Sequence, residues 1–324
     1  MKPKQSKNLE IAAPAFSGLA MTVLSLLLVT NPTSKGSAEM KLPDEHSIRR
    51  HLEQIVGERR PYSSDQHLNK VLRYIEDTFK KLGYEIERYP FSFSGKTYDN
   101  IIARKKGMRS NDKIIVGAHF DSVPGSPGAD DNASGVAVML ELARILADRS
   151  WNHTIEFIGF HMEEWNMIGS NAYAEKLKEE KIKVHGMISL EMVGYVSDEP
   201  KSQKLPPGFG FFFPNVGNFI GIVGNMRSIK LANTFKTEMK SISDLPIEKL
   251  ILPFNGIPVP ATRLSDHSPF WDRGFPALLI TDTSFYRNPN YHGANDTIET
   301  LNLPFMTKVT EGTSKALIAL DEME

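Results

Sequence analysis

The chain has 324 residues and sets 38 Lys and Arg against 39 Asp and Glu, a formal charge of −1 that argues against a nucleic-acid or polybasic membrane surface. Hydrophobic residues at 40% and charged residues at 24% suit a globular protein with a large core, which excludes disordered, collagen-like and multi-span membrane classes. Cysteine is absent, so disulfides, Cys-ligated zinc, a Cys nucleophile and lipidation at Cys are all removed, and any chemistry must use His, carboxylates, hydroxyls or Lys.

Lys2, Lys4 and Lys7 precede the uncharged stretch 11–34, densest as LAMTVLSLLLV at 19–29, with small residues following at Gly36, Ser37 and Ala38. This pattern predicts a secretory signal peptide over residues 1–40. The competing expectation is an uncleaved membrane anchor, because residues 12–30 are long enough to span a bilayer. Either one places residues 41–324, read as a single catalytic domain, outside the cytoplasm, with membrane contact only through an uncleaved anchor.

Residues 65–82 put Leu68, Val71, Leu72, Ile75 and Phe79 on one helical stripe, stopped by Gly83. YEIERYPFSF and TYDNIIARKKG alternate as two strands. Apolar runs at 113–119, 154–160, 186–192 and 275–281 predict strands buried on both faces, and helical patterns at 134–149, 169–181 and 304–320 supply their cover. The expected fold class is α/β, a three-layer α/β/α sandwich with a central mixed, mostly parallel sheet. Ser197 to Gly224, crowded with Pro, Gly and Phe, reads as a long loop serving as a lid or pocket wall.

No G-x-G-x-x-G, P-loop, G-x-S-x-G or H-E-x-x-H occurs. What remains is a set of histidines and carboxylates at the ends of apolar runs, and carboxyl ends of strands are where an open α/β sheet binds ligands. His119 and Asp121 follow IIVGA two residues apart, so Asp121 can hold the second ring nitrogen of His119 as metal-ligating histidines require. PGSPGADDNASG then delivers Asp130 and Asp131; a helix N-cap accounts for one Asp but not two. Glu163 and Glu164 stand among Phe160, Met162 and Trp165, Glu191 lies in ISLEMVGY, and His292 lies in NPNYHGANDT. Buried carboxylates need a cation, a proton or donors.

Together these residues offer one imidazole and one carboxylate to each of two metals, one carboxylate to bridge them and one left free. Oxygen and imidazole donors suit two Zn²⁺ ions, or Mn²⁺ or Co²⁺. Two such ions about 3.5–4 Å apart can share a water, lower its pKa to about 7 and stabilise the oxyanion formed at a carbonyl. The free Glu would take the proton and return it to the leaving amine. The chemistry expected is metal-assisted hydrolysis of an amide.

At these residues the sequence resembles the co-catalytic di-zinc aminopeptidase family, which also contains glutaminyl cyclases, glutamate carboxypeptidase and the transferrin-receptor ectodomain. The similarity runs from about residue 48 to the end through GAHFDSVPGSPGADDNASG, EEWNMIGS, SLEMVGY, SDHSPFWDRGFPALLITDT and NYHGANDTIETL. The resemblance implies that His119 and Glu191 bind one zinc, that Glu164 and His292 bind the other, and that Asp131 bridges them. It also implies Glu163 as general base and Asp121 as the partner of His119. Glu191 departs from the Asp that often stands at its position. The 197–224 region resembles only a bacterial subset with an SDEP and SQ block.

Asp266 and His267 are expected as active-site wall or hydrogen-bonding groups, and Arg287 and Tyr291 as holders of substrate or oxyanion. His46, His51, His67, His153 and His185 are expected to be solvated, and His161 to lie behind a metal ligand. The cluster of Phe211, Phe212, Phe213 and Phe219 suggests an apolar side-chain pocket, so the expected partner is a peptide with a free N-terminus and a large apolar first residue. The competing functions are a catalytically inactive binding ectodomain and an acyltransferase of glutaminyl-cyclase type. A carboxypeptidase would need a basic cluster, and only Arg263 and Arg287 offer one.

Overall fold

The structure, a computed structural model, describes residues 41–61, 66–206 and 208–323. The segment expected to be a signal peptide or anchor, residues 1–40, lies outside the described residues. Among the described residues no helix is long and apolar enough to cross a membrane.

Eight strands form one mixed sheet. They are β1 (Glu85–Phe93), β2 (Lys96–Lys105), β3 (Arg109–His119), β4 (His153–Phe160), β5 (Lys183–Glu191), β6 (Ile220–Asn225), β7 (Ile247–Leu252) and β8 (Ala277–Thr281). Their order across the sheet is β1-β2-β4-β3-β5-β8-β6-β7. The centre, β4-β3-β5-β8, is parallel, β6 and β7 are parallel to each other, and the antiparallel pairs are β1-β2, β2-β4 and β6-β8. All eight residues of β4 are buried, as expected of a strand with helices on both faces.

The helices are α1 (Glu45–Ile55), α2 (Gln66–Lys81), α3 (Gly135–Leu146), α4 (Ile168–Glu179), α5 (Ile229–Met239), α6 (His267–Asp272) and α7 (Leu303–Glu322). One face of the sheet packs Ile188, Leu190, Ile220, Ile222 and Ile280 against α1, α2, α3, α5 and α7. The other packs Ile115, Ile158, Met187 and Ala277 against Tyr173, Ala174 and Leu177 of α4 and Phe270 and Trp271 of α6. By the two-residue alternation of a strand, His119 and Glu191 project on the α4/α6 face.

Three helices and two strands lie beyond the sequence expectation: α1, α5, α6, β6 and β7. Strand β6 begins inside the segment read as loop, where Gly221, Gly224 and Asn225 mask a six-residue run that supplies Ile220 and Ile222 to the core. The irregular segment therefore ends at residue 219. A register row runs from Glu191 across Thr281 and Gly221 to Glu248 on the edge strand β7.

Candidate active site

The site grows from the carboxyl ends of β3, β4 and β5 and from two loops. His119 is the last residue of β3, and its Nε2 lies 3.3 Å from Asp131 Oδ1, 3.3 Å from Glu191 Oε1 and 3.7 Å from Glu163 Oε2. Its Nδ1 faces Asp121 Oδ1 at 3.6 Å. On the far side, His292 Nε2 lies 3.1 Å from Asp131 Oδ2 and 3.3 Å from Glu164 Oε2. Asp131 thus turns one oxygen toward each imidazole. Asp121 also accepts the backbone N–H groups of Glu163 (3.2 Å) and Glu164 (3.3 Å), so one carboxylate orients both the His119 ring and the Glu pair.

Asp131 is presented by a short kinked turn, Ala129–Ser134, whose backbone is non-helical at Asp131 and Asn132 and which leads into α3. Asp296 grips its start by accepting the N–H groups of Asp130 (2.8 Å) and Asp131 (3.1 Å). The approach to the turn is held by Arg59, fully buried, which donates to the carbonyls of Phe120 (2.8 Å), Pro127 (2.7 Å) and Gly128 (2.8 Å). Gly128 has φ +62°, and a Cβ there would meet Asp131 O at 2.4 Å and Arg59 Nη2 at 2.7 Å, so only glycine fits. Ser265 donates its hydroxyl to Glu191 Oε2 at 2.8 Å.

The electrostatics are those of a donor set gathered for cations. Burial would depress the His119 imidazole, but Glu191 and Glu163 hold it well above its ordinary value. Burial and the Asp131 charge push Glu164 to about 7 against the opposing His292. His292, despite its own burial, is lifted to about 10 by Asp131 and Glu164. Asp131 is held below the usual carboxylate range, its burial outweighed by the two imidazoles. Glu164 Oε1 is buried without a hydrogen-bond partner among the described residues. Clustered acids, two imidazoles and an unsatisfied carboxylate oxygen fit divalent ions, and nitrogen and oxygen donors without sulfur fit zinc. Two ligand groups can be drawn, His119 with Glu163 and Glu191, and His119 with Asp131 and Glu164.

A cavity of ≈ 370 Å³ opens from this cluster. Tyr291 lines it and stacks its ring on His292 at 3.8 Å. Phe209, Phe213 and Phe219 line it too, but Phe212, expected in the pocket, is 81% exposed and is not part of the lining, and neither is Phe211. Arg287 does not hold substrate: it is buried and donates to Gln203 Oε1 (2.9 Å) and Phe219 O (2.7 Å), fastening the loop. Asp266 and His267 lie beneath the wall, not on it. The His267 Nε2 pairs with Thr262 O at 2.8 Å, its ring meets Trp271, and burial pushes it down to about 3. Asp266 is fully buried, which raises it to about 7.

The histidines expected to be solvated are partly interior. His153 is fully buried with Nδ1 on Asp321 Oδ1 at 3.1 Å, and its ring stacks on His185. His51 is buried against the Tyr74 hydroxyl at 2.7 Å. His161 packs on Phe120. Arg59, Ser265 and Asp296 are the working residues that sequence reasoning passed over. Ser265 opens the SDHSPFW block and Asp296 lies in NYHGANDTIETL, which were the available signals; Arg59 sits in ordinary polar surroundings that carry none.

The family model for Peptidase family M28 matches residues 100–317. A protein of Escherichia coli strain K12, uncharacterized protein YfbL, is 36% identical over 277 residues, 81% of this chain and 83% of that protein. Aminopeptidase YwaD of Bacillus subtilis is 43% identical over 106 residues, which is 32% of this chain and 23% of the relative's own length. Among solved structures, a zinc aminopeptidase from Bacillus subtilis is 28% identical with a TM-score of 0.54, covering 72% of this chain and 52% of that one. The aminopeptidase from Aneurinibacillus sp. strain AM-1, at 20% identity and a TM-score of 0.66, covers 86% and 94% and shows the fold.

Proposed function

The chain belongs to peptidase family M28 and is a peptide hydrolase, and from that premise we propose that it is a zinc-dependent aminopeptidase acting on peptides with a free N-terminus. The observation that carries this reading is Asp131, whose two oxygens face His119 at 3.3 Å and His292 at 3.1 Å with a further carboxylate beside each ring. His119 and Glu191 would hold one zinc, His292 and Glu164 a second, and Asp131 both. When bound, the ions supply Lewis acidity to the scissile carbonyl and make a water nucleophilic near neutral pH.

Glu163 would be the general base and acid. Its carboxyl is held well above the ordinary range by burial and by Glu191 and Glu164, over the opposing pull of His119, so it can carry a proton and pass it to the leaving amine. Asp121 fixes the backbone on which that carboxyl hangs. The substrate α-ammonium would lie in the negative field of Glu191 and Glu163, which favours N-terminal over internal peptide bonds. The largely apolar cavity would take a large first side chain and keep water from the reacting atoms. The N-terminal sequence pattern supports an activity outside the cytoplasm, whether the segment is cleaved or retained as an anchor.

Hydrolysis of leucyl and phenylalanyl anilides by the full chain with zinc is the direct test. Turnover should vanish with a chelator, return with zinc, and fall about 10²- to 10⁴-fold in Glu163→Gln. Turnover that survives both the chelator and that substitution would sink the reading, and ammonia release from glutaminyl peptides would indicate the acyltransferase in its place.

A further inference from the structure

We propose that Glu248 determines specificity at the far end of the substrate cavity and selects a first residue with a long side chain ending in a cation, lysine or arginine. The proposal rests on the aminopeptidase reading above and names its substrate class.

The floor of the cavity is the α4/α6 face of the sheet. Glu191, Thr281, Gly221 and Glu248 pair in one row across β5, β8, β6 and β7, and paired residues project to the same face. Three strand spacings of about 4.8 Å separate Glu191 from Glu248, or about 14 Å between their backbones. Of the two residues between them, Gly221 has no side chain, so the row is low in its middle. The next row, Leu279, Val223 and Leu250, lines the same cavity and is apolar. A substrate side chain leaving the metal-ligand cluster therefore runs over an apolar floor and ends at an acid.

Glu248 is the one carboxylate of the lining that does not belong to the cluster. It is half-buried and has no hydrogen bond or ion pair among the described residues. Among the described residues, Lys204 is the only Lys or Arg of the lining; it is exposed and forms no ion pair with Glu248. A leucine side chain would stop short of this carboxylate, and an apolar side chain long enough to reach it, such as that of norleucine, would strip water from it and return nothing. A lysine lays its four-carbon stem on the apolar floor and brings its ammonium to the acid; arginine does the same with its guanidinium. The plain alternative is that Glu248 merely keeps an edge strand soluble, as charges on edge strands commonly do.

The deciding quantity is kcat/KM for the lysyl anilide divided by that for the norleucyl anilide, which lacks only the ε-ammonium. For the zinc-supplied full chain this ratio should exceed one by about tenfold or more and should fall about 10- to 100-fold in Glu248→Gln, the range expected for loss of a charged hydrogen bond. A ratio near one in the parent protein, or one unchanged by Glu248→Gln, overturns the proposal and leaves the edge-strand role. Should Glu248→Gln not fold, the parent decides: the ratio must drop as salt screens the pair, and a salt-independent ratio overturns it. Turnover of leucyl and norleucyl but not lysyl anilides would reject the specificity while keeping the aminopeptidase; no turnover of any of them would reject both.

Discussion

Asp121 faces His119 Nδ1 and accepts the two N–H groups of Glu163 and Glu164. Burial would raise its carboxyl, yet the His119 ring and the Glu163 N–H outweigh that and hold it below its ordinary value. Asp121→Asn is expected to weaken zinc affinity about 10- to 100-fold, the usual cost of losing the carboxylate behind a ligating histidine. Competition against a chromophoric chelator measures it, and unaltered affinity would mean that the His119 ring needs no such support. At this scale the sequence was informative wherever a polar residue ended an apolar run, as at His119, Glu163, Glu164 and Glu191. It was uninformative for His153 and His51, whose burial comes from Asp321 and Tyr74, 168 and 23 residues away.

The irregular segment between β5 and β6 is fastened at several points, and Arg287 is a buried anchor among them. Arg287 donates to Gln203 and to the Phe219 carbonyl, while Gln203 Nε2 donates to Thr283 Oγ1 at 2.8 Å and the Lys204 N–H to Tyr286 O at 2.7 Å. Burial pushes the guanidinium down to about 10 even beside Asp282 and Asp130. Replacing Arg287 by Ala leaves buried acceptors unmatched, each costing about 1–3 kcal/mol. We expect a lower melting temperature, faster amide exchange over residues 197–219, and a higher KM for anilides because Phe209, Phe213 and Phe219 lose their seat. Exchange as slow as in the parent would show that Gln203 and Lys204 hold the loop unaided. The crowding of Pro, Gly and Phe pointed to a pocket wall, but which phenylalanines face inward depends on the turn at Phe209–Phe211, so Phe212 was misplaced.

Across the whole molecule, acid stability should follow the buried neutral histidines. Burial lowers His51 from 6.5 to about 4, with Glu141 opposing and Arg50 and Arg144 assisting. Between those values the unfolded chain binds a proton that the native chain refuses, so stability is complete above about pH 6.5 and is lost as pH falls toward 4. The gap corresponds to about 3 kcal/mol at most. The melting temperature of His51→Gln, which can still meet the Tyr74 hydroxyl, should therefore fall less steeply between pH 6.5 and 4 than that of the parent. Parallel profiles would assign the acid loss elsewhere. Metal binding acts on the same scale. Zinc at a hundredfold its dissociation constant adds about 2.7 kcal/mol to the folded state, so chelation should lower the melting temperature and added zinc restore it.

From the sequence alone came the α/β class, the strands β1 to β5 and β8, four of the helices and the residues that gather at the candidate metal site. Most of these are written locally, in the period of an apolar run or in a polar residue that closes it, while Asp131 and His292 stand in Gly- and Asn-containing loops. Only the tertiary structure decided that Asp131 turns an oxygen to each imidazole, that Arg59 and Asp296 fasten its loop, that Arg287 serves the wall rather than the substrate, and that Glu248 lines the cavity. Those relations join residues tens to more than a hundred positions apart. They arise when strands distant in sequence become neighbours in one sheet, which no local pattern records.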